Sequence, residues 1–151
     1  MAASRHQLVT ELIIDTLRVN GRLVDAGDSL VADLGITSAS WRVLGEVTLG
    51  PTALPVAHLA RNMGLTRQAV QRVVDILVAR GLVRYEDNPH HARARLVVAT
   101  DEGRDAYDGA MRRQRPWAIA LARGIPAEHL TIARDVIRAL DSTLATRQGD
   151  D

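Results

Sequence analysis

Residues 65–83 read LTRQAVQRVVDILVARGLV, and the polar positions in this run recur with a period. Wound at about 100° per residue, Arg67, Gln68, Gln71, Arg72 and Asp75 fall inside an arc of roughly 140°. Ala69, Val70, Val73, Val74, Ile76 and Leu77 fill the opposite side. This is an amphipathic helix, with Thr66 as its N-cap and Gly81 closing it. A solvated surface helix usually shows Glu and Lys on its polar face. Here the face shows arginines and amides, the side chains that hydrogen-bond bidentately to base edges.

Upstream lies PVAHLARNMG, a shorter helix with Pro55 in its first turn, where a missing N–H costs nothing. Gly64 supplies a tight turn between the two helices. Ala60 is small where they cross, and Val70 and Val73 follow it ten and thirteen residues later on the packing face, as a helix-turn-helix requires. Downstream the period changes from 3.6 to about 2. LVRYED and ARLVVAT read as two short strands joined by the turn-rich NPHH. A hairpin directly after such a helix pair makes a winged helix. The plainer alternative is a helical hairpin in a bundle, against which the arginines of the hairpin and the charge distribution both count.

Working further outward, a first helix covers about residues 5–31, and Gly21 and Gly27 leave room for a break in it. Thr37 or Ser38 caps a second helix through Trp41, Leu44 and Val47, ended by Gly50-Pro51. Beyond the hairpin, Thr100 or Asp101 caps a long helix over about 102–123, in which Pro116 should form a kink or a joint. Gly124 and Pro126 break the chain before a last helix to Arg147, and the tail QGDD is expected to fray. The expected fold is mainly α with a small β-hairpin wing.

Composition sets the outer limits. The chain has 151 residues, 46% of them hydrophobic and 25% charged, as in an ordinary globular protein with a real core. No apolar run is long enough to span a membrane, and the N-terminus lacks a signal-peptide core, so a cytoplasmic location is expected. Cysteine is absent, which excludes disulfides and thiolate metal sites within the chain. Net charge is only +1, yet residues 61–95 hold seven arginines against Asp75, Glu86 and Asp87, a local balance of +4. A basic middle between more acidic ends is the electrostatic footprint of a segment that meets nucleic acid.

The pieces LGITSASWRVL, LARNMGLTRQAVQRVVDILVARGLV and RLVVATDEG together resemble the MarR-type winged-helix transcriptional regulators, from about Leu34 to Gly103. The resemblance implies one MarR-like domain over 1–151, with a winged helix-turn-helix at 37–100 and dimerisation helices at 5–35 and 104–147. It also implies a homodimer whose two winged domains straddle a pseudo-palindromic DNA operator. Such a protein is a sequence-specific regulator, expected to be a repressor released by a small-molecule effector. The family's wing usually carries an acidic residue two positions before an Arg; here that place reads His91-Ala92-Arg93, and the acid is missing.

Under this reading Thr66, Arg67, Gln68, Gln71 and Arg72 lie at or near the major groove. Arg93 and Arg95 probe the minor groove, with His91 beside them at the wing tip. Asp75, a carboxylate near phosphates, is assigned a positioning role through Arg72 or a wing arginine. Leu130, Ala133, Ile137, Leu140 and Leu144 recur at the spacing of a helix–helix seam, and Leu8, Leu12 and Ile13 form a stripe at the other end. Trp41 and Arg42 are candidates for an effector pocket, Trp41 doubling as a core residue. Histidines and carboxylates form no catalytic or metal-binding pattern, so neither enzyme activity nor a metal or cofactor is expected. Two rivals remain, a winged helix used to bind protein and a ligand-binding dimer without DNA.

Overall fold

A computed structural model describes residues 4–148. Helix α1 (Arg5–Val31) starts at a reciprocal cap: the Gln7 N–H donates to Ser4 Oγ at 3.2 Å, and the Ser4 N–H donates to Gln7 Oε1 at 2.8 Å. It runs unbroken through both glycines that left room for a break. Gly27 is there for another reason. It is buried, and a Cβ on it would lie 2.9 Å from the Ser38 Cβ, so the glycine lets the helix that starts at Ser38 approach.

Past Val31 the chain tightens into a 3₁₀ turn (Ala32–Leu34) and reverses at Gly35, whose φ is 67°. Helix α2 (Ser38–Leu49) is capped by Thr37, which accepts from the Ser40 N–H at 3.1 Å, so Thr37 fills the cap role that Ser38 had shared. Asp28 of α1 also serves this helix start, accepting from the Ser38 N–H at 2.7 Å. A two-residue strand β1 (Leu54–Pro55) follows, then helix α3 (Val56–Asn62). Pro55 therefore stands just before the helix, at its N-cap, rather than in its first turn. It belongs to a strand that the hairpin reading did not include.

Gly64, with φ 63°, turns the chain into helix α4 (Arg67–Ala79), and Thr66 caps it by accepting from the Ala69 N–H at 3.2 Å. Strands β2 (Val83–Glu86) and β3 (Leu96–Ala99) pair antiparallel, with Tyr85 opposite Val97. β1 adds to the free edge of β3, giving the order β1-β3-β2. The link between β2 and β3 spans residues 87–95 and is wider than NPHH alone. The Asn88 side chain holds it, donating to the Ala94 carbonyl at 2.9 Å and accepting from the His90 N–H at 3.0 Å.

The core fills the space between α2, α3, α4 and the sheet, with Leu44, Leu59, Val70, Val74, Leu77 and Val97 all essentially inaccessible. Ile76 departs from the expected apolar side of α4 and is 55% exposed. On the helical wheel it lies roughly 130° from Val74 and Leu77's common direction, beside Arg72 and outside the packed sector.

Helix α5 (Asp101–Leu121) starts from Thr100. The Thr100 Oγ accepts from the Gly103 N–H at 3.0 Å and donates to the Gly81 carbonyl at 2.6 Å, while the Thr100 N–H donates to the Leu82 carbonyl at 3.1 Å. Gly103 lies so close to that strand entry that a Cβ on it would overlap the Leu82 carbonyl oxygen. Arg113 reaches back to Asp33, with Nε donating to Oδ1 at 3.0 Å and Nη2 to Oδ2. The helix continues past Pro116, which lies inside it. Two compact units meet in the chain between Arg113 and Gln114. The second holds the end of α5, a turn at Gly124 with φ 84°, and helix α6 (Ala127–Gln148).

Two carboxylates in the first unit are held below the usual aspartate range. For Asp33 the leading cause is the hydrogen bond from Arg113; for Asp28 it is the Ser38 side chain, then the Ser38 backbone. A depressed carboxyl pKa contributes stability above the ordinary value of 3.8, and that contribution disappears as pH falls through the lower folded value. Both groups are exposed, so the effect is modest. The Tm difference between wild type and Asp33→Asn is therefore expected to be largest near neutrality and to close as pH drops below 3.8. A gap undiminished in strong acid would contradict this.

Candidate nucleic-acid interface

The first turns of α4 carry the polar face seen in the sequence. Arg67, Gln68, Arg72 and Asp75 are exposed and Gln71 is half-buried, while Val70 and Val74 on the other side are fully covered. Arg67, Gln68, Gln71 and Arg72 together line one open depression. Among the described residues, the side chains of Arg67, Gln68 and Arg72 have no hydrogen-bond or ion-pair partner in the chain. Two free guanidiniums thus stand on the first two turns of the helix, whose N-terminal N–H groups concentrate partial positive charge. Thr66 is exposed, but its hydroxyl is engaged in capping. An anionic, hydrogen-bonding surface is the natural complement of this face.

Asp75 is held differently from expectation. Its Oδ1 accepts from Gln71 Nε2 at 2.7 Å, and neither Arg72 nor a wing arginine pairs with it. The wheel explains why: Gln71 sits roughly 40° from Asp75 and Arg72 roughly 60° to its other side. One turn back along the helix, the short amide reaches the carboxylate in line, and Arg72 is left free. The same Nε2 donates to the phenolic oxygen of Tyr85 at 2.8 Å. Tyr85 was not among the residues singled out in the sequence. Its only signal there was an aromatic two positions after Val83, on the inward face of a strand.

On the wing, His91 and Arg93 are exposed at the tip. Arg93 has no side-chain partner among the described residues. Arg95 is placed otherwise than expected of a groove-probing residue. Its guanidinium carbon lies 4.9 Å from the centre of the Tyr85 ring, and Nη2 donates to the Tyr85 carbonyl at 3.2 Å. A ring face within reach is a better local partner than water, so the side chain folds back. Other arginines of the basic middle are also engaged: Arg84 pairs with Glu86 at 2.6 Å, and Arg80 donates to the Gly35 and Leu34 carbonyls.

Trp41 is half-buried and packs against the main core, while Arg42 beside it is exposed. No group of three histidines or carboxylates able to hold a metal lies together among the described residues. No described helix is long and apolar enough to cross a membrane.

Residues 34–94 match the model of the MarR family. An uncharacterized protein of Mycobacterium tuberculosis is 33% identical over 132 residues, covering 87% of this chain and 91% of its own length. The crystal structure of CouR from Rhodococcus jostii RHA1, bound to p-coumaroyl-CoA, is similar at 28% identity and a TM-score of 0.73, over 82% of this chain and 86% of that one. A MarR-family regulator from Rhodococcus sp. RHA1 aligns at 25% identity and a TM-score of 0.77, over 92% and 97% of the two chains. A mutant MarR from E. coli, crystallised with operator DNA, shares the fold at a TM-score of 0.78 and 19% identity, over 91% of this chain and 99% of that one.

Proposed function

The chain belongs to the MarR family of winged-helix transcriptional regulators, and on that footing we propose that it acts as a cytoplasmic homodimeric repressor. Its two α4 helices read the half-sites of a pseudo-palindromic operator, and a small-molecule effector releases it. Residues 37–100 form the DNA-binding region, and 5–35 and 104–147 the dimerisation helices. The observation that carries the reading is the open depression formed by Arg67, Gln68, Gln71 and Arg72 at the start of α4. Arg93 and His91 extend the contact from the wing tip. Asp75 is a positioning residue, acting through Gln71.

Support for a dimer comes from apolar surface left in water. Leu8, Ile13 and Leu17 on α1, and Leu130, Ile137 and Leu144 on α6, are all exposed, Leu17 to 70%. A soluble monomer rarely leaves so much apolar surface uncovered. CouR's p-coumaroyl-CoA complex supports a small-molecule effector, with Trp41 and Arg42 as candidate contacts. Release then follows from the effector's differential affinity for the operator-bound and free conformations.

Selection of bound duplexes from a random library, followed by a salt titration of the winner, tests the proposal. The expected result is an inverted repeat with half-sites about ten base pairs apart, and an affinity that falls steeply with salt. Absence of any enriched sequence at low and at moderate ionic strength would overturn it and favour a protein-binding winged helix.

A further inference from the structure

The geometry points to Gln71 as an acceptor-only reader of the major groove, with Tyr85 as the positioning residue that makes it so. This rests on the DNA-binding reading above. A glutamine amide nitrogen has two N–H donors. At Gln71 one goes to Asp75 Oδ1 at 2.7 Å and the other to the Tyr85 hydroxyl at 2.8 Å. The opposite amide orientation would set Oε1 against the Asp75 carboxylate, lone pairs facing lone pairs, so the charge on Asp75 fixes which end of the amide points where. Both donors are therefore used inside the protein.

The carbonyl end is left over. Gln71 Oε1 has no partner among the described residues. It is not sealed from solvent: Gln71 is half-buried, and among the described residues the buried side-chain polar atom without a partner is Thr48 Oγ1 on α2. Gln71 also lines the open depression with Arg67, Gln68 and Arg72. Tyr85 is itself held from three sides. Its backbone pairs with Val97, its ring packs against the core, and Arg95 covers the ring and bonds its carbonyl. The phenol is a fixed partner rather than a passing one.

The consequence for base recognition is specific. The usual glutamine contact with adenine accepts from N6 and donates to N7. A glutamine with no donor left can only accept, so it takes a base that shows an amino group in the major groove. Those bases are adenine, through N6, and cytosine, through N4; guanine and thymine present acceptors and are refused. On the strand that Gln71 faces, the operator therefore carries adenine or cytosine, and adenine N7 contributes nothing.

The test uses the full-length protein and the random duplex library. Gln71→Ala should flatten the preference at one position in each half-site, which locates the contact. At that position wild type is expected to accept adenine and cytosine within about twofold of each other and to disfavour guanine and thymine by about tenfold. An adenine analogue with carbon in place of N7 should bind wild type like adenine. Tyr85→Phe keeps the ring but releases one amide N–H. That variant should come to prefer adenine over cytosine by about fivefold and lose the gain with the analogue. Matching urea midpoints for the two proteins would show that the change is in reading and not in folding. Guanine or thymine at the located position, a wild-type penalty from the analogue, or no position that responds to Gln71→Ala would each overturn the inference. If wild type enriches no sequence at all, the DNA-binding reading itself fails, an outcome separate from these three.

Discussion

Gly103→Ala is expected to lower stability by on the order of 3 kcal/mol, the upper end for forcing atoms into a packed site. The added Cβ would meet backbone: the carbonyl oxygen of Leu82, with the carbonyl carbon 2.9 Å away. No side-chain rotamer can relieve that overlap. Relief requires α5 to move off the start of β2, and the Thr100 N–H bond to the same carbonyl lies in the way of that movement. Gly21→Ala is the matched control. Nothing lies within 4 Å of a Cβ there, and the residue sits in mid-helix, so alanine should stabilise by about 0.5–1 kcal/mol. Urea unfolding at one fixed protein concentration measures both. Equal midpoints for Gly103→Ala and wild type would mean that the close approach is not rigid.

The second large effect concerns binding. Arg67→Ala with Arg72→Ala is expected to weaken operator affinity by at least about a hundredfold, at two charge-assisted contacts per protomer and about 1–3 kcal/mol each. Neither side chain has a partner among the described residues, so the folded chain should keep its stability, a point thermal unfolding would check. Single variants then sort the contacts. An arginine on phosphate should weaken all sequences alike, and removing it should lower the salt slope by about one per protomer. An arginine on guanine should relax preference at one position per half-site. Unchanged affinity in the double variant would remove the α4 face from the proposed interface.

Much of the fold was readable because its signals are local. Thr37, Thr66 and Thr100 cap helices whose N–H groups lie three residues on, and such a bond needs nothing from the rest of the chain. The amphipathic division of α4 was likewise legible, except at Ile76, whose exposure depends on how wide a sector the core covers. β1 escaped notice because two residues ending in proline have no period, and its pairing with β3 joins positions some forty apart. At the site, the exposed basic face followed from the wheel. The couplings did not: Gln71 to Tyr85 requires a helix laid against a strand, and Arg95 to Tyr85 requires the hairpin closed in register. Sequence separation hid these, and with them the internal use of two residues that otherwise look free to contact DNA.

The Thr100 hydroxyl bonds Gly81, two residues past the end of α4, on one side and the first turn of α5 on the other. Two long elements thereby share one hydroxyl as a joint, beside the Thr100 N–H bond to the Leu82 carbonyl. A torque applied along α5 would be passed through this joint toward the rear of α4, the helix whose first turns carry Arg67 and Arg72. By reciprocity, seating those arginines on a duplex would press back through the same hydroxyl, so that Thr100→Val, close in shape but unable to make either hydroxyl bond, should weaken the coupling between the two helices.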